Sequence, residues 1–576
     1  MEMRTRANFM RHGRGITVSL LRALALVIPV LLAQACRVID GTGTTYYVSP
    51  AGSDTNSGVA IDRAWKTIDR ANRQSFKPGD RLLLEGGRAF DGNLLLDAGD
   101  AGVPDLPVIV GSYGSGRATI QAGMGYAVLV RNAGNVEVRD LICIGEDRTR
   151  NHGAGVAFIN TLPGDTRLKK VRIHNIEAKG FGRELTVKGA YPEGHQLPQG
   201  AGILVAGYAS DRSKSGFENV EITGCSAHDN AYYGILITGY WADRPTRYAN
   251  AKVRIADCRV YDNPGDPLYH ENHSGSGILV EDCDGGLVER CVAYGNGALC
   301  DDAPGGPCGI WTAVANRVTI QFCESHSNRT GTAADGDGFD LDGGCTECVL
   351  QYNYSHDNDG AGILVYTYAN APHTDRGNIV RWNISENDAV KRRAYGAILV
   401  GNDGDGMSGV EIYQNSFITN QPAEGVINIR GRDVGVAFRN NIILTSSGIP
   451  LVRIDSADAA PIFQGNLYWS TRSPFARVAG RDLRTFEDWH KAGMETHEGR
   501  LVGQFADPRL DLAAPRGAAG DLSRFAALTA FRPPPGSPAL HGAVDLRSFR
   551  IDPGSRDFSG RPLPRIPQAG ACAPRE

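Results

Sequence analysis

The sequence predicts a right-handed parallel β-helix with one coil per repeat. Two recurring blocks and one absence predict it. The first block ends on asparagine: CSAHDN at Asn230, CRVYDN at Asn263, CVAYGN at Asn296, CESHSN at Asn328, NYSHDN at Asn358 and NSFITN at Asn420. NISEND joins the series with Asp388 in the last place. The spacing is 30 to 33 residues, and a fixed period of that size marks a solenoid whose repeats bury their apolar faces only against one another. The second block is led by glycine: GILV from Gly202, GILI from Gly234, GILV from Gly277, GIWT from Gly309, GFDL from Gly338, GILV from Gly362, GAIL from Gly396 and GVIN from Gly425. Such short, β-branched stretches bounded by Gly, Asn and Asp read as strands between turns. No amphipathic stretch of about 11 to 18 residues runs between the blocks, which argues against a helical solenoid.

Each part of the chain then has an expected role. Residues 1–35 read as an export signal. Arg4, Arg6, Arg11 and Arg14 precede an apolar run from Ile16 to Leu32, and Ala33-Gln34-Ala35 supplies a small-residue cleavage site. Cys36 follows at once and resembles a lipoprotein attachment cysteine. The expected destinations are the periplasm, the outer membrane as a lipoprotein, or the medium. Residues 36–80 hold a strand in YYVSPAGSDTNSG and a short helix near Trp65 to Asn72, expected to cap the open end of the solenoid. Residues 81–470 are the coils. Residues 471–576 begin with a helical stretch from Leu483 to Ala492. They continue rich in Pro and Gly, and read as an extension wrapping the barrel.

Stacked asparagines can hydrogen-bond along their column and satisfy backbone groups inside a turn. Stacked Cys225, Cys258, Cys291 and Cys323 serve as small apolar fillers. Export would permit disulfides, and Cys300 with Cys308 or Cys345 with Cys348 are spaced to form them. A zinc site would need a second CxxC pair, which is absent. A formal charge of −4 gives no case for nucleic acid, and a monomer is expected. A solenoid offers a long groove, and the expected partner is a polysaccharide, uronate-containing on the resemblance below.

The site should lie where a coil breaks the repeat's own rule. In the glycine-led strands the residues one and three after Gly point inward, and those two and four after it point outward. At AADGDGFDLDGG, Phe339 and Leu341 keep the inward pattern. Asp340 and Asp342 point outward in columns that are otherwise mostly apolar, with Asp335 and Asp337 in the turn before. Four carboxylates in eight residues repel one another unless something neutralises them, and Ca²⁺ held by Asp335, Asp337 and Asp340 would do so. Trp311 precedes Asp340 by one coil as an exposed ring suited to a sugar face. Glu281 shares the Asp342 column two coils before, and Tyr366 follows one coil after. The GDPLYHENH loop brings His270 and His273 to the groove wall. Arg393, in the basic run 391–393, and Arg430 are cations that could hold uronate carboxylates.

The start (YYVSPAGSDTNSG, AWKTIDRA), the coils and the tail (SPAL, DFSGRPLP) resemble the bacterial pectate-lyase-like β-helix superfamily. That resemblance implies a carbohydrate polymer and leaves the reaction open among lyase, glycoside hydrolase and uronan epimerase. DGDGFDL resembles the calcium-binding strand of family-9 polysaccharide lyases, with Asp337 and Asp340 at two ligand positions. The position of that family's catalytic lysine is Leu364 here, so Tyr366, Arg376 or the 391–393 run would supply the base. Hydrolysis needs two carboxylates and no lysine: Asp340 as acid, with Asp342 or Asp337 as base. The Asp-Pro ahead of His270-Glu271 loosely resembles an alginate-epimerase motif. The expectation is an exported enzyme cleaving an acidic polysaccharide, leaning to calcium-assisted elimination. A non-catalytic glycan binder is the alternative of another class.

Overall fold

The computed structural model describes residues 43–182, 200–242, 245–471, 475–514, 525 and 528–573. The export signal and Cys36 lie outside the described residues. From Arg81 onward the chain winds as a parallel β-helix. Its first coils are closed by the strand Thr45–Val48, which pairs in parallel with Arg81–Glu85. The helix Ile68–Ala71 packs there, with the Thr67 side chain accepting a hydrogen bond from the Arg70 amide. Trp65 is fully buried, stacks on Tyr46 and donates its indole N–H to the Asn56 carbonyl.

The glycine-led strands pair in register, with one correction to the glycine rule: the inward residue stands one after Gly as far as Gly362 but two after it at Gly396 and Gly425, where Ile398 and Ile427 face the core. Ile203, Ile235, Ile278, Ile310, Phe339, Ile363, Ile398, Ile427 and Val452 are direct parallel partners, one per coil. Two residues on, the second inward column runs through Val205, Ile237, Val280, Thr312, Leu341, Val365, Val400, Ile429 and Ile454. Every apolar member of both columns is buried in the central core. Alternation of side chains along a strand leaves the residue between them on the outer face. That outer column reads Leu204, Leu236, Leu279, Trp311, Asp340, Leu364, Leu399, Asn428 and Arg453.

Loops cover the outer column in the early coils. Leu204, Leu236, Leu279 and Trp311 therefore form a second apolar cluster with Tyr232 and Tyr233. Trp311 is only 4% exposed, a correction to the exposed ring expected of it; alternation fixes the direction of a side chain, and loops decide what covers it.

The asparagine column exists and is buried. Asn230 donates its amide to Asn263 at 3.0 Å, and the chain of bonds runs on through Asn296, Asn328 and Asn358 to Asp388. Asn420 lies outside it. Thr419 faces Asp388, while Asn420 is exposed and bonds to Asn387 and Ser446. A second column begins with the cysteines and passes through Asn353, Asn383, Asn415, Asn441 and Asn466 to the buried Glu495. The coil shortens to 26 and then 25 residues between its last asparagines. Neither expected disulfide is present: Cys300, Cys308, Cys345 and Cys348 are free and buried, as packing groups rather than staples.

The strand Leu467–Ser470 pairs with Gln504–Phe505, and the helix Phe486–Lys491 lies between them in sequence. The tail then runs back along the coils. Phe531, Phe558 and Ala571 bury against Tyr354, Ile384, Ile418 and Ile442. The carbonyls of Asp552 and Pro553 accept bonds from Tyr413 and Trp382. Among the described residues no helix is long and apolar enough to cross a membrane.

Candidate active site

The outer column turns polar at Asp340, and a cavity of about 550 Å³ opens there. Its floor is Trp311, Asp340 and Leu364, consecutive partners in the outer column, with Leu399 one coil further. One wall comes from loops that precede the strands and carries His273, Gly306, Asp335 and Tyr395. The other comes from residues that follow them: Glu281, Asp342, Tyr366, Tyr368 and Trp241. Among the described residues no lysine lines the cavity, and Arg430 is the only arginine that does.

Asp335 sits in a left-handed turn, at φ 56° ahead of Gly336 at φ 90°. Both carboxylate oxygens are engaged: Tyr395 Oη donates to Oδ1 at 2.9 Å and the Gly306 amide donates to Oδ2 at 2.8 Å. Arg430 lies over the Tyr395 ring, 5.5 Å from its centroid. Burial raises the Asp335 carboxyl above the usual range, and those two donors with Arg392 and Arg430 pull it back. Asp337 is fully buried and accepts from the Ala361 amide. It fits because residue 360 is glycine, where a Cβ would stand 2.0 Å from the Asp337 oxygen.

Asp340 is 2% exposed. Its Oδ1 has no partner, and its Oδ2 lies 3.8 Å from the Cys308 thiol. Burial, and then the charges of Asp342, Asp337 and Asp335, push its carboxyl well above the ordinary range. Asp342 is pushed up to about 8, by burial first and by Asp335 and Asp375 as neighbouring charges. Glu281 rises to about 7 through burial, while the Thr238 hydroxyl donates to it. Asp337 is likewise pushed well above the ordinary range, by burial first and then by the charge of Asp335, so every carboxyl of the cluster is raised. Asp335 is the member whose charged form is best supported.

The structure therefore brings together Asp335, Asp340, Asp342, Glu281, Trp311, His273, Tyr366 and Arg430. His273 sits edge-on to Trp311, 5.0 Å between ring centroids, and burial lowers its pKa to about 4, so the ring is neutral. Tyr366 donates its phenol to Asp403 and is pushed up, by burial first and then by that bond. Four residues lie apart from the cavity lining: Asp337, which is fully buried, and three exposed ones. His270 is exposed and faces the Asp301 carbonyl, Arg393 is exposed, and Arg376 is exposed on a strand paired with Met407–Ser408. The neighbours of Arg393 serve the wall instead: Lys391 and Arg392 donate to the carbonyls of Thr330, Gly331 and Thr332.

Sequence reasoning missed Cys308, Tyr368, Tyr395 and Trp241. Tyr395 stands directly before the Gly396 strand, and Tyr368 repeats Tyr366 at the strand period; both were findable. Trp241 is in a loop four coils before Tyr368 and carried no local signal.

As for an ion, ligand atoms of Cys308, Asp335 and Asp337 lie within 4.8 Å of one another. Calcium takes six to eight oxygens. Here one donor is sulfur, and both Asp335 oxygens are already hydrogen-bonded. The donor set fits a hard cation poorly.

A family model described as right-handed β-helix region matches residues 116–379 and 250–443, together more than half of the chain. The chain belongs to that family. This β-helix protein is also similar to lacto-N-biosidase from Bifidobacterium longum subsp. longum, 22% identical over 97% of this chain. It spans 39% of that relative's length. The solved GH136 lacto-N-biosidase from Eubacterium ramulus is 21% identical, with a TM-score of 0.50 over 76% of this chain and 68% of that one. At that identity the structural likeness speaks for the β-helix fold alone.

Proposed function

We propose that this protein is a glycoside hydrolase that cleaves a glycan with two carboxyl groups, Asp342 as general acid and Asp335 as its charged partner. The observation that carries the reading is the split within one cavity. Asp342 holds its proton to about pH 8, while Asp335 accepts two hydrogen bonds beside Arg430. Pairs of carboxyls whose environments are pushed apart divide the acid and base work of glycoside cleavage.

Asp342 gives its proton to the glycosidic oxygen as the bond from that oxygen to the anomeric carbon breaks. Asp335 acts on the anomeric carbon, directly or by taking a proton from water, and the anomer first released tells which. Asp340 forms the floor of that cavity with Trp311, both nearly sealed from solvent. Names of relatives point the same way, since lacto-N-biosidase is a glycosidase name. A single arginine in the wall suits a neutral glycan better than a polyuronate.

The test is product analysis on lacto-N-biosides, other neutral oligosaccharides and uronate polymers. New reducing ends, abolished in D342N and D335N, support hydrolysis. The competing reaction, calcium-assisted elimination on a uronate chain, would need a hard-cation site that the cluster of Cys308, Asp335 and Asp337 fits poorly. An ultraviolet-absorbing unsaturated product that disappears with chelator would establish it and sink the hydrolase reading.

A further inference from the structure

Two aromatic contacts from one loop span several coils. The strand Tyr233–Thr238 and the strand Ile363–Thr367 are four pairings apart. That is about 19 Å along the axis at the spacing of a sheet. Yet Trp241, three residues past the first strand, stacks on Tyr368, just past the second, with ring centroids 6.4 Å apart. The loop carrying Trp241 therefore runs beside the coils of Glu281, Ala313 and Asp342 to reach it.

Three features hold it there. Lys214, 7% exposed, donates to the Tyr240 carbonyl at 2.6 Å and to Asp282 Oδ2 at 2.8 Å, tying the loop at its root. A Cβ at Gly239 would stand 2.1 Å from the Asp282 oxygen, so glycine makes room for that tie. At the far end of the loop the rings of Tyr248 and His373 approach to 5.1 Å.

The pair faces the acid. The Tyr368 ring lies over Gly343, where a Cβ would meet it at 2.5 Å, and Gly343 directly follows Asp342. Both rings line the cavity, and Trp241 is 36% exposed, unlike the sealed Trp311. A half-open indole anchored by a buried ion pair offers a flat apolar face to whatever binds beside Asp342. In glycoside cleavage the acid stands next to the leaving group.

We infer that Trp241 and Tyr368 form the platform for the sugar on the leaving-group side of the cleaved bond. The inference rests on the hydrolase reading and on Asp342 as the acid. A glycosyl fluoride tests it, because fluoride departs with no sugar attached. Lacto-N-biosyl fluoride is compared with a lacto-N-biosyl oligosaccharide in the wild type, W241A and Y368A. The expected result is a loss of about two- to tenfold in kcat/KM on the oligosaccharide, the range an aromatic contact commands, with the fluoride unchanged. Equal loss on both substrates would put the platform on the donor side and overturn the inference, as would no loss on either.

An activity-independent arm keeps the two readings apart. Y368A is expected to red-shift Trp emission and increase quenching by acrylamide, because Trp241 loses its stacking partner. Unchanged emission would mean that the stack does not form, and the platform falls with it. A shifted emission with no turnover of either substrate by the wild type removes the hydrolase reading on this donor, and the platform falls with it in turn.

Discussion

The asparagine ladder and the aspartate cluster occupy neighbouring faces of the same coils and are equally hidden from water, yet their polar atoms meet different fates. Asn296 is fully buried: its amide donates to Val260 and Asn328, and its carbonyl oxygen accepts from Asn263. Asp340 is 2% exposed with an oxygen that bonds to nothing, among three further carboxyls. A satisfied buried polar group holds a fold, and an unsatisfied one weakens it unless a ligand completes it. The difference teaches that the ladder is built for the coil; on the proposed reading the cluster is built for a bound glycan.

The comparison breaks most visibly at Asp342. D342N should lower kcat by about a thousandfold, the scale of a lost general acid, and leave the protein as stable as before or more so. Turnover assays beside thermal melts check this. A fall in both would make Asp342 another ladder residue.

N296A should do the reverse. It takes the acceptor from the Asn263 backbone N–H and from one side-chain N–H of Asn263, and the side-chain donor from the Val260 carbonyl, while the Asn328 oxygen keeps the backbone N–H of residue 296. At roughly 1–3 kcal/mol for each stranded group, partly relieved by water, the cost is about 3 kcal/mol, read by denaturant unfolding, while activity per folded molecule is kept.

Proton dependence sharpens the contrast without mutation. Activity that needs Asp342 protonated should fall above about pH 8. Stability has a definite sign too. The native state keeps the Asp342 proton where the unfolded chain, with an ordinary carboxyl near 3.8, has lost it. The native state then binds more protons, and stability declines as pH rises from that value to about 8. Melts across that window in the wild type and D342N should show the variant with the flatter slope.

The smallest effect is at the end of the second ladder. Glu495 accepts from Asn466 and Tyr468, and burial pushes it up to about 7. Its contribution is full below 4.5 and lost as pH rises toward 7. E495Q should remove that slope with no change in kcat.

Much of this was legible in the chain. The glycine-led block set the inward and outward columns as far as the Gly362 coil, and Asp340 stood out because neighbouring coils place Trp311 and Leu364 in its column. Register fails as a guide where a coil changes length, which is why Asn420 falls one residue out of its column while Asn441 and Asn466 enter the other. The basic run 391–393 looked like substrate contacts because charge can be read from sequence and orientation cannot. Two of those side chains brace a loop, and the neighbouring Tyr395 is the residue that reaches Asp335.

The sequence by itself determined the solenoid, its period and the coil that carries the acids, because a repeat that stacks on itself needs only nearest-neighbour contacts. Tertiary structure alone decided that Asp335 accepts from Tyr395 and Gly306, which rings line the cavity and that Trp241 meets Tyr368. Those outcomes depend on loops whose lengths do not repeat, and on burial, which no single coil controls.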